Sequence, residues 1–371
     1  MKNKIKLLFL SGGSLVGRNL LDVLSERRED LELITFNSIP NVPSLFEYDK
    51  VLISPSLVED AEDFRKFFLE KVQIEKPNLI IPCRDEDVEF LSKIKSENLL
   101  VESPILTGSF EIASAFLDKW KSFEFSIKHD LPFAKTICAD SSQEILNQFL
   151  SGVAFPIIAK PKKGFASKGV ILLCTNEQLE ALRGRKDYIF QEYLGDSKKI
   201  EEYRNQIKTS GIPLFHSFEE LKISCQAMVG PNGELGGLLV TEHLMKQGVS
   251  ATVSICKDET ANKLARDWVK KIILAGWVGP INIQFQKKLT GEYFIYEYNG
   301  RFTGATSARY HLGFDGLGMQ LKLWLNEALP SANSSGVCDS VLRIPKSKPL
   351  NISQINKLSE QKVWEANSTV N

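Results

Sequence analysis

Between residues 280 and 301 the chain alternates apolar and polar side chains twice, in Pro280-Ile-Asn-Ile-Gln-Phe-Gln286 and in Tyr293-Phe-Ile-Tyr-Glu-Tyr-Asn-Gly-Arg301. A strand sends residues two apart to one face. Each run therefore reads as a strand, and the Leu-Thr-Gly-Glu stretch at 289–292 reads as the turn of an antiparallel hairpin. With Thr290 and Gly291 as the loop, paired positions share a constant sum, which sets Gln284 opposite Glu297 and Asn282 opposite Asn299. Oxygen-bearing side chains then share one face, directly opposed partners lying ~5 Å apart. That spacing can grip a hard cation. Magnesium takes oxygen ligands, is usually held by one or two carboxylates, and leaves the rest of its shell to water and phosphates. One carboxylate among amides points to a metal that arrives with a nucleotide; the plainer alternative is the solvated side of an ordinary hairpin.

At 371 residues the chain exceeds the size at which one hydrophobic core stops growing, so two or three lobes are expected. Lys plus Arg and Asp plus Glu both number 46, which leaves no global field to draw in nucleic acid or an anionic membrane. Any phosphate site must be local. Six cysteines lie scattered with no Cys-x-x-Cys and no neighbouring histidine, a pattern that signals neither zinc nor a disulfide framework. The run Leu7-Leu-Phe-Leu10 is too short for a signal peptide and ends in Ser11-Gly-Gly13. No apolar stretch approaches the ~20 residues of a membrane helix. The expectation is a cytoplasmic protein with neither nucleic-acid nor membrane partners.

The first hundred residues alternate strand signals (6–10, 31–36, 50–53, 78–82) with helix signals (15–26, 59–71), a rhythm that predicts βαβ units on a parallel sheet. The turn Gly12-Gly-Ser-Leu-Val-Gly17 lacks the strict dinucleotide-binding spacing, and the second strand ends at Phe36-Asn37 where a ribose-binding acid is needed, so a structural glycine turn is the preferred reading. Residues 83–87, Cys-Arg-Asp-Glu-Asp, suit either a ligand-contacting loop at a strand end or an acid-rich helix start. A helical segment over 109–129 carries Asp118-Lys119. Beyond residue 330 the Ser, Lys, Pro and Asn content predicts one strand near 341–344 and then a weakly ordered end.

Lys160-Pro-Lys-Lys-Gly-Phe-Ala-Ser-Lys-Gly169 joins two predicted strands, and Gly164, Ser167 and Gly169 permit the tight backbone that folds amides over phosphate oxygens. Lys160 would reach in as a fixed cation; a lysine-rich hairpin loop is the plainer reading. Taken in chain order, Asp118-Lys119, Ile158-Ala-Lys160 with its glycine-serine loop, Gln191-Glu-Tyr-Leu194, Asn282-Ile-Gln284 and Glu297-Tyr-Asn-Gly-Arg301 resemble the motif series of the ATP-grasp superfamily. The likeness is nearest to the branch holding the carbamoyl-phosphate synthetase large chain, biotin carboxylase and the amino-acid and peptide ligases, and spans about residues 1–330.

That resemblance implies an α/β plus α+β architecture: a parallel α/β N-terminal (pre-ATP-grasp) domain over 1–116, a small lid over 117–194, a larger domain with the metal hairpin over 195–330 and a tail over 331–371. It implies ATP with magnesium or manganese. Lys119 and Lys160 would bind the phosphates, the loop containing Gly164, Ser167, Lys168 and Gly169 would close over them, and Gln191, Glu192, Tyr193 and Leu194 would hold adenine. Glu220 would take the ribose, Gln284, Glu297 and Asn299 the metal, and Arg301 the substrate and its acyl phosphate, with Arg301 and Lys160 catalytic. Two departures stand out. Residues 195–217 intervene before the ribose-binding acid, and Gly300 replaces the family's proline while keeping the ligand spacing.

The implied reaction activates a small-molecule carboxylate as an acyl phosphate and joins it to an amine, amino acids being candidates for both, with release of ADP and phosphate. The alternatives are a bicarbonate-phosphorylating carboxylase or carbamoyl-phosphate synthetase-like enzyme, and a non-catalytic nucleotide-binding module. Substrate choice would fall to loops 83–87, 195–217 and 302–313. Within the last, Thr303 and Thr306 either bind substrate or turn the chain, and Arg309-Tyr310-His311 is either an anion patch or a solvated helix face. Family likeness adds a homodimer through the N-terminal domain.

Overall fold

The buried aliphatic runs of the first eighty residues form the parallel sheet expected of them. In a computed structural model, which describes residues 4–100, 102–164, 168–212, 221–246, 249–330, 338–344 and 351–366, β1 (Ile5–Leu10), β2 (Leu31–Asn37), β3 (Lys50–Ile53) and β4 (Leu79–Pro82) run parallel in the order β3-β2-β1-β4. Helices α1 (Leu15–Leu24) and α2 (Ala61–Glu75) make the crossovers, and α3 (Asp85–Ser96) follows β4. The glycine turn after β1 is filled by the chain itself. Gly12 N–H donates to Thr35 Oγ1 (3.0 Å), Tyr48 Oη donates to Gly12 O (3.1 Å), and a Cβ on Gly17 would stand 2.0 Å from the Gly12 carbonyl oxygen. Close packing accounts for these glycines.

Asp118 splits the expected helical segment into α4 (Phe110–Leu117) and α5 (Lys119–Lys128). Its backbone is extended (φ −103°, ψ 120°) and its carboxylate accepts from Trp120 N–H and Lys121 N–H, so it caps α5 and makes Lys119 the first helical residue. Phe116, Phe125, Leu131 and Phe133 pack with Trp277 and Tyr298 in the core under the largest sheet, whereas the lid's own core begins at Ile137. The lid holds β5 (Thr136–Cys138), α6 (Gln143–Ser151), β6 (Ile157–Pro161), β7 (Ile171–Leu173), α7 (Asn176–Glu180) and β8 (Tyr188–Glu192), its strands antiparallel in the order β5-β8-β6-β7. A helix, α8 (Ser197–Ser210), fills most of the polar stretch that follows and buries Ile200.

The third unit is an antiparallel sheet, β13-β12-β9-β10-β11-β14, built from β9 (Leu221–Val229), β10 (Leu235–Lys246), β11 (Val249–Ile255), β12 (Gly279–Lys287), β13 (Tyr293–Asn299) and β14 (Ser340–Leu342). Alternation gives it two faces. Ile223, Cys225, Ala227, Ile281, Ile283 and Phe285 share a core with Ala265, Trp268, Val269 and Ile272 of α9 (Glu259–Leu274). Register puts Ser224 and Gln226 beside Gln284 and Asn282 on the opposite face. Two helices follow β13, α10 (Thr306–His311) and α11 (Gly316–Leu325).

The tail departs from the expected weakly ordered end. Helix α12 (Ile352–Gln361) buries Leu358, and β15 (Val363–Glu365) pairs antiparallel with β3 at the edge of the first sheet, Trp364 packing edge-on to Phe46 at 5.2 Å. No helix among the described residues is long and apolar enough to cross a membrane.

Candidate active site

At the site, β12 and β13 pair in the register read from the sequence, Asn282 opposite Asn299 and Gln284 opposite Glu297. Two departures cancel to give it. The loop holds residues 289–291 rather than Thr290 and Gly291 alone, with Lys288 N–H donating to Glu292 O at 2.8 Å and Gly291 at φ 97°. A bulge at Tyr296, where the register shifts past Gln284, supplies the compensating extra residue. Lys160 Nζ donates to the carbonyl of that bulged residue at 3.2 Å.

The polar face is knit by its own amides. Asn282 and Asn299 are buried, Gln284 and Glu297 half-buried. Asn282 Nδ2 and Gln284 Nε2 both donate to Asn299 Oδ1 (3.2 and 2.9 Å), Asn299 Nδ2 donates to Glu297 Oε1 (3.3 Å), and Tyr296 Oη donates to Gln284 Oε1 (3.1 Å).

Around this face stand cations in excess of anions. Lys160 on β6 and Lys119 at the start of α5 are both buried, and among the described residues neither has a carboxylate partner; Lys119 Nζ instead donates to Gly164 O at 3.1 Å. Burial pushes the Lys160 ammonium down to about 7, with the neighbouring charges of Lys119 and Lys222 pressing the same way and Glu297 opposing them. Burial raises the Glu297 carboxyl, but Lys119, Lys160, the Asn299 amide and Arg301 together hold it below the usual carboxylate range. The carboxylate stays ionised while the lysines lack a full complement of negative charge. A polyanion would supply it.

Arg301 is tied across to the first domain, Nη2 donating to Asp85 Oδ2 at 2.6 Å and Nη1 to Phe302 O at 3.0 Å. Burial lowers its pKa, and Asp85, Glu297 and Glu86 more than offset this. Gly164 and Gly169 both adopt positive φ (144° and 74°), so the loop uses the freedom its glycines offer, and Gly169 O accepts from Tyr188 Oη at 3.0 Å. Lys168 is exposed beside it. Gln191 turns its side chain into the lid, where Nε2 donates to Thr136 Oγ1 at 2.9 Å, so its side chain is spent on structure. Glu192 Oε1 accepts from Lys288 Nζ at 2.5 Å, linking lid to hairpin, while Tyr193 is half-buried and Leu194 buried at the end of β8. Ser167 and Glu220 lie outside the described residues.

Sequence reasoning missed several partners. Asp85 gave no sign of pairing with Arg301, residues 216 positions apart. Its neighbour Asp87 is fully buried as a structural cap, accepting from Ser11 Oγ and Arg84 N–H, and burial raises its carboxyl to about 6 against the pull of Arg84 and Ser11. Thr303 and Thr306 turn the chain: Thr306 Oγ1 accepts from Thr303 N–H and donates to Thr303 O. Arg309 is 1% exposed, so it belongs neither to an exposed patch nor to a solvated helix face, while Tyr310 lies under Arg27 at 4.8 Å.

The donor set suits a hard cation. No group of three or more His, Cys, Asp or Glu that could hold a metal occurs among the described residues. A lone ionised carboxylate flanked by carboxamides fits magnesium or manganese that completes its shell with phosphate oxygens.

No family model matches the chain, and no curated protein matches it. Among solved structures, the N5-carboxyaminoimidazole synthetase of Staphylococcus aureus superposes with a TM-score of 0.64 at 12% identity, over 89% of this chain and 79% of that one. The corresponding ribonucleotide synthetase of Thermotoga maritima gives 0.60 at 18% identity, over 88% and 77%. A biotin carboxylase–β,γ-ATP complex from Campylobacter jejuni gives 0.63 at 14% identity, over 89% and 73%. These likenesses establish the ATP-grasp fold, a parallel-sheet domain followed by two antiparallel lobes.

Proposed function

We propose that the chain is an ATP-dependent carboxylate–amine ligase. The observation that carries the reading is the charge arrangement at the hairpin: two buried lysines that have no carboxylate partner of their own among the described residues, beside one carboxylate held ionised. Lys119 and Lys160 bind the β- and γ-phosphates, and Lys160 takes up a proton as the polyanion arrives. Glu297 and the carboxamides of Gln284 and Asn299 hold the divalent cation, which, when bound, would neutralise phosphate charge. Arg301, oriented by Asp85, holds the anionic oxygens of the carboxylate substrate as one of them attacks the γ-phosphorus and ADP departs. The amine then attacks the acyl carbon and phosphate leaves. Catalysis on this reading is positioning plus electrostatics, and no side-chain nucleophile is required.

The loop containing Gly164, Ser167, Lys168 and Gly169 closes over the phosphates, the backbone of Gln191, Glu192, Tyr193 and Leu194 takes adenine, and Glu220 takes the ribose. A homodimer is part of the proposal, supported by likeness to the biotin carboxylase domain of a Hydrogenobacter thermophilus 2-oxoglutarate carboxylase, solved as a dimer with MgADP and bicarbonate. That complex also favours a second reading, in which the carboxylate is bicarbonate. Measuring ADP release over a panel of amino-acid pairs, and over bicarbonate with single amines, tests both. Turnover that needs two organic substrates supports ligation, bicarbonate-dependent turnover supports carboxylation, and failure to bind Mg-ATP overturns both.

A further inference from the structure

Arg309 is among the largest fully buried side chains of the molecule, and among the described residues its hydrogen-bond partners are all neutral. Nη1 donates to Thr303 Oγ1 at 2.6 Å, and Nη2 donates to Ser224 Oγ at 2.9 Å and Thr241 Oγ1 at 3.1 Å, with His243 Nε2 at 3.4 Å. Burying a cation without a counter-ion is costly. A neutral side chain would fill this space more cheaply, so the cost calls for a return.

The return lies in direction. A guanidinium carries five donors and no acceptor, so Ser224 Oγ must accept from it. The one proton on Ser224 is then free to go to Asn282 Oδ1, 2.5 Å away. With that oxygen engaged, Asn282 turns its Nδ2 to Asn299 Oδ1 at 3.2 Å, and Asn299 in turn points its Nδ2 at Glu297 Oε1, 3.3 Å away. The chain runs from β9 through β12 to β13 with a single polarity, because its source cannot accept and the carboxylate at its end cannot donate. A serine backed by a neutral hydroxyl could donate either way, leaving the acceptor-only carboxylate of Glu297 as the one remaining group that orients the two asparagine carboxamides.

We infer that Arg309 is a positioning residue for the metal face: acting through Ser224 and Asn282, it works with Glu297 at the other end of the chain to fix which end of the Asn299 carboxamide is oxygen. The inference rests on the ligase reading only in that the face receives a divalent cation. Arg309 touches neither nucleotide nor metal, and its effect is confined to the orientation of the ligands.

The test uses the full chain with Mn2+ as probe, its free concentration followed by electron paramagnetic resonance in the presence of ADP. ADP affinity is measured separately in EDTA by calorimetry. Ser224→Ala and Arg309→Gln are each expected to weaken Mn2+ binding about tenfold, the worth of a polar interaction of roughly 1–1.5 kcal/mol, with ADP affinity in EDTA unchanged. Combining them should weaken Mn2+ binding no further than Arg309→Gln alone, since both cut the same chain, and Arg309→Lys should restore most of the loss. A purely structural role would lower the melting temperature without separating Mn2+ from ADP affinity. Wild-type Mn2+ affinity in Ser224→Ala, a small change that spares the buried charge, overturns the inference even if Arg309→Gln fails to fold. If the wild-type chain itself binds no Mn2+ with ADP, the ligase reading falls before any variant is compared.

Discussion

Lys160 carries a large share of the site's unmet charge, and its pKa makes that testable. Its folded value, about 7, lies below its ordinary 10.5, so between those limits the unfolded chain binds a proton that the folded chain lacks. Nucleotide-free stability should therefore gain a contribution that rises with pH from about 7 to 10.5 and is flat below, where both states are protonated. Lys160→Met should remove that rise and raise nucleotide-free stability at pH 7 by about 1–4 kcal/mol, as replacing a poorly compensated buried charge does; thermal melts from pH 6 to 10 measure both. Nucleotide binding should reverse the shift. At pH 8 the nucleotide-free chain holds Lys160 mainly neutral, and on the ligase reading phosphate would restore its proton, so Mg-ATP binding should take up close to one proton per site. Calorimetry in buffers of different ionisation enthalpy reads this directly, and uptake that survives in Lys160→Met would refute the assignment. Glu297→Gln leaves carboxamides alone on the face, and metal-dependent turnover should fall by about a hundredfold or more; the nucleotide-free melting temperature should fall as well, because the carboxylate that opposes the charge of Lys119 and Lys160 is gone.

Among the elements, α12 and β15 make the most exposed claim. β15 caps the edge of β3, and Lys50 meets both Glu75 (2.8 Å) and Glu365 (3.4 Å) where the tail docks. Removing residues 351–371 should uncover a strand edge, lower the urea midpoint and promote association, because unpaired edges invite pairing; sedimentation velocity distinguishes this from simple loss of stability. Trp364→Ala alone should cost about 2 kcal/mol, less than a fully buried Trp. This tail was hardest to read in advance, since a three-residue strand has no period and α12 buries one leucine among polar neighbours. The parallel sheet was legible because β4 is wholly apolar and β1 and β2 are mainly so, β1 ending in the run Leu7–Leu10, and the hairpin because period-two alternation fixes faces. Its register at the site was nevertheless right through two compensating errors, a longer loop and an unforeseen bulge. The Asp118 break and the Asp85–Arg301 and Arg309–Ser224 pairings were invisible for a different reason: capping geometry and contacts between distant positions leave no periodic trace in a single sequence.

At the scale of the whole molecule, arginine–carboxylate pairs join the first domain to the elements around the large sheet. Arg27 grips Asp315 with both nitrogens (2.6 and 3.0 Å), and Arg301 meets Asp85 at 2.6 Å. The second pair brings a first-domain acid to the arginine that the ligase reading places on the substrate. A substrate carboxylate would compete with Asp85 for that guanidinium, so binding and domain contact are coupled, and Asp85→Asn should alter the KM for the carboxylate more than that for ATP. The reaction path supplies the sharper test. On the ligase reading, Lys119, Lys160 and the carboxylate–amide face gather around the γ-phosphate and favour attack at its phosphorus, so the activated species should be an acyl phosphate and the products ADP and phosphate. With the amine withheld, hydroxylamine should trap the intermediate as a hydroxamate. Arg301→Ala should suppress that trapping at saturating ATP by about a hundredfold or more, because removing a charge-stabilising donor costs roughly 3–4 kcal/mol, while ATP binding, which the ligase reading assigns to Lys119 and Lys160, should stay near wild type. Stoichiometric AMP and pyrophosphate would mean attack at the α-phosphorus, which this placement of lysines and metal face does not serve, and would remove the acyl-phosphate mechanism together with the role given to Arg301.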